Sequence, residues 1–188
     1  MRVVAGQAGG RRLITPDGTT TRPTSDRVRE SMFNMLFSLG ALEDAVVVDL
    51  YAGSGSLGIE ALSRGAESCV FVEADRDALD AIRENIETLG FSDQATIVAG
   101  DALSWLEQRA HHSSPFDLAL ADPPYRDEPW ELILSHLGDD LLTESGLVVA
   151  ESSQRLPELN EWDVVRDKKY GTTLVTVLTR NESNGDQQ

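Results

Sequence analysis

Acidic residues follow three successive apolar segments of the chain, and a glycine pattern follows the first. Asp49 lies near the end of the first segment, just before a G-x-G-x-x-G pattern over residues 53–58. Such glycines permit a tight strand-to-helix turn and a close approach of the backbone to a ligand. Glu73 and Asp101 end or follow the next two apolar segments. The spacing predicts a nucleotide-type ligand site lined by these three acidic side chains.

The three carboxylates narrow the choice of ligand. Three negative side chains are a poor environment for the pyrophosphate of a dinucleotide, because that anion requires positively charged groups around it. The carboxylates suit a nucleoside that carries an ammonium and a sulfonium, so S-adenosylmethionine is favoured over NAD. Glu73 is expected to accept hydrogen bonds from the ribose hydroxyls, and Asp101 from the adenine amino group. Helix capping is the alternative interpretation for both residues, since each precedes a predicted helix.

A second motif, Asp122-Pro123-Pro124-Tyr125, follows the fourth apolar segment. Two consecutive prolines fix the backbone and remove two N–H donors, so carbonyl oxygens are left to accept hydrogen bonds. The Asp122 carboxylate and the Pro123 carbonyl could therefore hold an exocyclic amine while the Tyr125 ring stacks on the base. The alternative is a rigid loop that carries a surface tyrosine.

The motifs must be positioned by the elements around them, and the sequence predicts strands that alternate with helices. The predicted strands are 45–50, 69–72, 95–99, 116–121 and 147–150, and the predicted helices are 56–64, 75–89, 102–109 and 128–137. This order predicts an α/β fold with a mostly parallel sheet and right-handed crossovers. Residues 162–166 and 172–179 have no helix between them, which predicts a closing antiparallel hairpin. Ligands bind at the carboxyl ends of parallel strands, where every motif above falls.

The first 40 residues form a different segment. Residues 3–5 and 12–14 flank a glycine-containing turn and predict a short β-hairpin. Ser25 or Asp26 is expected to cap a helix that Gly40 ends, with apolar residues recurring at helical spacing between them. We therefore expect an N-terminal hairpin-helix extension over 1–40, a main domain over 41–180 and a flexible tail over 181–188.

Charge is distributed unevenly along the chain. The formal net charge of −16 argues against nucleic-acid binding by the molecule as a whole. However, residues 1–29 carry six arginines and two acidic residues and sum to +4, whereas the remainder sums to −20. A basic segment on an acidic body can still bind a polyanion locally, because exposed charges are screened beyond about 10 Å at 0.1 M salt. We expect Arg27 and Arg29 to stay exposed on either side of the apolar stripe. The alternative is that these arginines pair with acidic residues of the same chain.

Several other classes of protein are disfavoured. The single cysteine, Cys69, is expected to be a core residue and is typical of a reducing cytoplasm. No apolar run approaches the roughly 20 residues that a membrane span requires. The histidines at 111, 112 and 136 are expected to be solvated, and no zinc-ligand spacing or nucleophile elbow is present. We therefore expect a cytoplasmic protein without a metal.

The motifs together resemble a known family. The segments 49–58 and 122–125 resemble the cofactor and catalytic motifs of class I amino-group methyltransferases. The segment 22–30, Arg-Pro-Thr-Ser-Asp-Arg-Val-Arg-Glu, is similar to the signature of small-subunit ribosomal RNA guanine-N2 methyltransferases of the RsmD type. The resemblance covers about residues 1–180. Tyr51 stands where the family usually has Phe, and Tyr125 stands where Phe is frequent, so an aromatic ring is kept at both positions.

The resemblance implies a Rossmann-like class I methyltransferase fold and a reaction. The enzyme would transfer a methyl group from S-adenosylmethionine to the exocyclic N2 amine of a guanine in small-subunit (16S) ribosomal RNA, leaving S-adenosylhomocysteine. The substrate would be that RNA or an assembling small subunit. The implied catalytic residues are Asp122, Pro123, Pro124 and Tyr125. The implied cofactor-binding residues are Asp49, Tyr51, Ala52, Gly53, Ser54, Gly55, Glu73, Ala74, Asp101 and Ala102. The implied RNA-binding residues are Arg11, Arg12, Arg22, Arg27 and Arg29.

Four alternatives remain open from the residues. An adenine-N6 DNA methyltransferase would use the same Asp-Pro-Pro-Tyr motif, but it commonly carries a target-recognition insert for which this chain has no room. A glutamine-N5 protein methyltransferase would be expected to have Asn at position 122. A dinucleotide oxidoreductase does not explain the motif at 122–125. A non-catalytic RNA-binding module does not explain Asp49, Glu73 and Asp101 together.

Overall fold

In the part of the chain that the structure describes, seven strands form one mixed sheet and five helices pack on its two faces. The computed structural model describes residues 1–16, 25–109, 115–124, 129–138, 141–157 and 160–181. The strands are β1 (Val46–Leu50), β2 (Ser68–Glu73), β3 (Ala95–Ala99), β4 (Phe116–Ala121), β5 (Leu142–Ser152), β6 (Trp162–Tyr170) and β7 (Thr173–Arg180). The helices are α1 (Asp26–Ser38), α2 (Ser56–Ser63), α3 (Arg76–Leu89), α4 (Ala102–Arg109) and α5 (Trp130–Gly138). The predicted α/β class and the closing hairpin are confirmed.

The strand order is β3-β2-β1-β4-β5-β7-β6. Strands β1 to β5 run parallel, whereas β7 is antiparallel to both β5 and β6. The chain moves outward from β1 to β3 on one side and then from β4 to β5 on the other. The direction of winding therefore changes between β1 and β4, and such a switch point opens a crevice at the carboxyl ends of the strands.

Strand β2 is one residue longer than predicted at each end, and strands β5 and β6 extend further beyond their predicted ranges. Strand β5 begins at Leu142 rather than at 147, because its first residues include a polar stretch whose pairing with β4 shifts register. Strand β6 continues to Tyr170 rather than ending at 166. It lies at the edge of the sheet, where exposed charged side chains replace the apolar alternation that marks an inner strand.

The helix termini follow local sequence signals. The Ser25 side chain caps α1 by accepting from the Val28 N–H at 3.3 Å, and Asp75 caps α3 by accepting from the Ala78 N–H at 2.9 Å. Gly90, with a φ of 79°, ends α3 in the left-handed conformation. These caps fix where each helix begins relative to the strand that precedes it.

The N-terminal extension packs on the sheet rather than standing apart. Its predicted hairpin is reduced to a single antiparallel bridge between Arg2 and Arg12. Val3 and Leu13 are buried in the same hydrophobic core as Met32 of α1 and Phe71 of β2. Buried Cys69 belongs to this core, as predicted. The division into 1–40, 41–180 and a tail stays a prediction, and all of the tail except Asn181 lies outside the described residues.

Within the described segments, every helix is too short or too polar to cross a membrane.

Candidate active site

The glycine loop between β1 and α2 is a tight turn with one open position. Gly53 and Gly55 have φ angles of 56° and 77°, and Tyr51 also lies in the left-handed region with a φ of 58°. A Cβ on Gly53 would meet nothing within 4 Å, whereas one on Gly58 would lie 2.4 Å from Phe71 Cε1. The first glycine therefore leaves room above the loop, and the third lets α2 pack closely on β2. The Ala52 carbonyl accepts from the Gly55 N–H at 2.7 Å and closes the turn.

Asp49 lies beneath the loop rather than in an open cleft. It is 1% exposed, and its Oδ2 accepts a hydrogen bond from the Gly58 N–H at 2.8 Å. Its Oδ1 is buried and has no hydrogen-bond partner among the described residues. Burial raises the pKa of Asp49 to about 8, the Gly58 hydrogen bond opposes this rise, and the charge of Glu73 adds to it. The raised pKa favours the protonated form of Asp49 near neutral pH, which differs from the carboxylate that we expected.

Glu73, at the end of β2, is a half-buried acceptor for three backbone N–H groups. Its Oε2 accepts from Gly53 at 2.7 Å, and its Oε1 accepts from Ala74 at 2.7 Å and from Asp75 at 2.8 Å. It does not cap α3, because Asp75 does. Glu73 therefore fixes the first glycine of the loop, and its role toward a ribose stays a prediction.

Asp101 follows β3 and caps α4. Its Oδ1 accepts from the Ser104 N–H at 2.9 Å, so the capping alternative is confirmed as one of its roles. It is also close enough to Tyr51 to affect that ring: burial, followed by the charge of Asp101, raises the pKa of Tyr51 to about 12. Ala102, next to Asp101, is buried, whereas Ala74 is exposed. The adenine contact of Asp101 stays a prediction.

The Asp122 motif lies at the carboxyl end of the sheet, as the glycine loop does. Leu50 of β1 is level with Ala121 of β4, so Asp122 follows directly beside the strand that leads into the glycine loop. Asp122 is half-buried, Pro123 is buried and Pro124 is exposed. Tyr125 lies outside the described residues. The strand order thus brings the two sequence motifs together at the crevice between β1 and β4.

Asn85 is a site residue that the sequence reasoning missed. This α3 side chain is 2% exposed, and its Nδ2 donates to the Ser54 carbonyl of the glycine loop at 3.0 Å. The same Nδ2 donates to the Ile14 carbonyl at 2.9 Å, and Oδ1 accepts from the Ile14 N–H at 2.7 Å. The signal in the sequence is an amide within the apolar stripe of α3, between Ile82 and Ile86.

The candidate RNA-binding arginines fall into three groups. Arg12 and Arg27 are exposed, and Arg11 is exposed while its Nη2 donates to the Thr88 carbonyl at 2.8 Å. Arg22 lies outside the described residues. Arg29 is fully buried, so its predicted exposure is wrong.

Two ion pairs, of which the one with Glu60 is fully buried, explain the position of Arg29. Its Nη2 lies 3.0 Å from Asp26 Oδ1, and its Nε lies 3.7 Å from Oε2 of Glu60, which is also fully buried. The Glu60 carboxylate further accepts the N–H groups of Val4 and Ala5 at 2.7 and 3.0 Å. The alternative of pairing within the chain is therefore the correct one for Arg29, which connects α1 of the N-terminal extension to α2.

The histidines take no part in the described site. His136 is half-buried on α5, which is less solvated than predicted, and positions 111 and 112 lie outside the described residues. Within the described segments, no group of three His, Cys, Asp or Glu side chains is arranged to hold a metal ion.

Known proteins resemble this chain over nearly its whole length. Residues 1–179 match the family described as conserved hypothetical protein 95. Ribosomal RNA small subunit methyltransferase D of Escherichia coli is 35% identical over 190 residues, covering 99% of this chain and 92% of that protein. The protein of the same name from Haemophilus influenzae is 33% identical over 175 residues, covering 91% and 89% of the two chains. The solved structure "Putative methyltransferase yhhF from Escherichia coli" is 36% identical, with a TM-score of 0.84 over 96% of this chain and 97% of that one.

Proposed function

Because this chain belongs to the conserved hypothetical protein 95 family, we propose that it methylates the exocyclic N2 amine of a guanine in small-subunit ribosomal RNA, with S-adenosylmethionine as methyl donor. The fold is the Rossmann-like class I methyltransferase fold that the sequence resemblance implied. The observation that carries the proposal is the placement of the glycine loop and the Asp122 motif at the neighbouring carboxyl ends of β1 and β4. A cofactor and an amine held by these two motifs would lie side by side.

The residues present fit S-adenosylmethionine. Space is open above Gly53. Glu73 ends β2 and Asp101 follows β3, so a nucleoside lying across the carboxyl ends of these strands would pass both side chains. In addition, Oδ1 of Asp49 is a buried polar atom with no partner among the described residues. When bound, S-adenosylmethionine supplies an electrophilic methyl group on a sulfonium. The protein supplies the loop, which Glu73 and Asp49 hold in one conformation.

The Asp122 motif is the proposed amine site. A guanine amine is a poor nucleophile, because its lone pair is delocalised into the ring. Acceptance of its hydrogens by the Asp122 carboxylate and the Pro123 carbonyl would localise that lone pair and stabilise the positive charge that develops on nitrogen. Removing the base from its stack costs a few kcal/mol, and stacking on the Tyr125 ring would return about 1–3 kcal/mol.

The N-terminal extension is the proposed RNA-binding surface. Arg12 and Arg27 are exposed, and among the described residues neither takes part in an ion pair. Arginine suits phosphate because its planar guanidinium can form two parallel hydrogen bonds. Arg11 and Arg22 are proposed to join them, whereas Arg29 is not. The substrate would be the RNA itself or an assembling small subunit in the cytoplasm.

Nucleoside analysis of ribosomal RNA tests the proposal. In a strain lacking the gene, we expect mass spectrometry to show the loss of one N2-methylguanosine from small-subunit RNA. Complementation with the wild-type gene should restore it, and complementation with Asp122→Ala should not. Loss of N6-methyladenosine instead, or an unchanged set of modified nucleosides, would contradict the proposal.

Ligand binding tests the cofactor separately. S-adenosylhomocysteine at 100 times its dissociation constant should stabilise the protein by about 2.7 kcal/mol, while NAD should have no effect. Stabilisation by NAD alone would point to the dinucleotide oxidoreductase alternative.

A further inference from the structure

One buried side chain connects the N-terminal extension to the glycine loop. Asn85 Nδ2 is shared between the Ile14 carbonyl at 2.9 Å and the Ser54 carbonyl at 3.0 Å, and its Oδ1 accepts from the Ile14 N–H at 2.7 Å. We propose that Asn85 is a positioning residue that couples RNA binding by the extension to cofactor binding by the loop. The inference rests on the proposed function, because it names the two ligands.

An amide is suited to this connection. The two donors and the acceptor of the Asn85 side chain satisfy both backbone groups of Ile14 and one carbonyl of the loop. At 2% exposure, loss of the amide would leave these backbone groups without their partner in a place where water has little access. A displacement of Ile14 would therefore act on the same side chain that binds the Ser54 carbonyl.

The position of Ser54 makes this connection relevant to the cofactor. Its neighbour Gly53 is held by Glu73, and Gly58 is held by Asp49, so both of those contacts lie within the predicted cofactor site. Asn85, in contrast, also binds Ile14, which lies outside the predicted cofactor site and follows Arg11 and Arg12 in the same segment. That segment also precedes Arg22 in the sequence.

The expected consequence is positive cooperativity. RNA bound to Arg11 and Arg12 would hold the neighbouring Ile14 in place, and through Asn85 it would restrain the Ser54 carbonyl. A loop that is already ordered pays a smaller entropic cost when the cofactor binds. Couplings of this kind typically change an affinity by about 5–150-fold, and each ligand must affect the other by the same factor.

Equilibrium dialysis of labelled S-adenosylhomocysteine, with and without small-subunit particles from a strain lacking the gene, measures the coupling. For the full-length wild-type protein we expect the particles to tighten binding at least fivefold. The ratio of the S-adenosylhomocysteine dissociation constants without and with particles expresses this coupling, and Asn85→Ala should reduce it toward one. Ile14→Pro should also lower the ratio, because it removes the N–H that donates to Asn85, although the Ile14 and Ser54 carbonyls can still accept from Asn85. The double variant should lose no more coupling than Asn85→Ala alone.

Asn34→Ala is the matched control. Asn34 is an exposed amide on α1 that accepts from Arg64 and touches neither Ile14 nor the loop in the described contacts. It should keep the wild-type ratio. A general loss of stability would weaken binding with and without particles alike, so it would leave the ratio unchanged.

Each outcome decides between explanations. A wild-type ratio of one, or a wild-type ratio retained in both Asn85→Ala and Ile14→Pro, would overturn the inference while leaving the proposed function intact. If the wild-type protein bound no S-adenosylhomocysteine under any condition, the proposed function itself would fail. If Asn85→Ala did not fold, Ile14→Pro would still give the ratio that decides the inference.

Discussion

Asp49 should make the stability of the protein depend on pH in an unusual direction. Its carboxyl is buried, and its pKa is raised from 3.8 to about 8. The native state therefore retains a proton on this group that the unfolded chain releases above pH 3.8. Because the native state binds more protons, the stabilisation from the protonated group is complete below pH 3.8 and is lost as pH rises toward about 8. Most carboxylates in folded proteins act in the opposite direction.

The size of the effect follows from proton linkage. Between the two pKa values, one such group lowers the free energy of unfolding by about 1.4 kcal/mol for each pH unit. From pH 5 to pH 7 the loss from Asp49 alone is therefore about 2.7 kcal/mol. Asn at this position does not titrate, and its side-chain oxygen can still accept from the Gly58 N–H.

Urea denaturation of the wild-type protein and Asp49→Asn at pH 5, 6 and 7 measures this difference. The free energy of unfolding of the wild type relative to the variant should fall by about 2.7 kcal/mol across the series. Asp80→Asn, which changes an exposed carboxylate on α3, is the control for a general effect of removing an acid. A wild-type-to-Asp49→Asn difference that stays constant from pH 5 to pH 7 would show that Asp49 is ionised in the folded state.

Four further outcomes are expected. Glu73→Ala should weaken S-adenosylhomocysteine binding, measured by calorimetry, by about 1.5–3 kcal/mol, because a charged acceptor that also holds the Gly53 N–H is lost. Asp122→Ala should abolish kcat while cofactor affinity falls much less, since the proposed contact strengthens in the transition state. Gly58→Ala should destabilise the protein to urea by about 1–3 kcal/mol, because its Cβ would lie 2.4 Å from Phe71 Cε1. Arg12→Ala with Arg27→Ala should lower the log–log salt slope of RNA binding by about 0.7–0.9 per lost phosphate contact.

Control variants, matched to the residue types changed above, show which results would contradict these expectations. Gly100→Ala adds a Cβ where nothing lies within 4 Å, so equal destabilisation by both glycine changes would rule out the steric explanation. Arg83→Ala removes an exposed, ion-paired arginine from α3, and it should leave the salt slope unchanged. Normal single-turnover methylation by Asp122→Ala would make that residue structural, and wild-type affinity in Glu73→Ala would exclude the ribose contact.

The sequence predicted the sheet and the two motif positions well, because buried parallel strands are nearly continuous apolar runs and each motif follows one of them. It failed where a residue's partner lies far away in the sequence. Arg29 was expected to be exposed, yet Glu60, 31 positions later, lies against it in the core. Asn85 was missed because its partners, Ile14 and Ser54, are 71 and 31 positions away. Periodicity reports which face of a helix is buried, but it does not report which backbone groups that face meets.

The composition of strand β6 bears on how this sheet avoids aggregation. An outermost strand leaves one row of N–H and C=O groups free to pair with another chain. In β6 five of the nine residues are charged, namely Asp163, Arg166, Asp167, Lys168 and Lys169, and all five are exposed. Adding a strand from a second molecule here would crowd and partly desolvate these charges, which opposes edge-to-edge association. The chain's two lysines, Lys168 and Lys169, are both among these charged side chains of the edge strand.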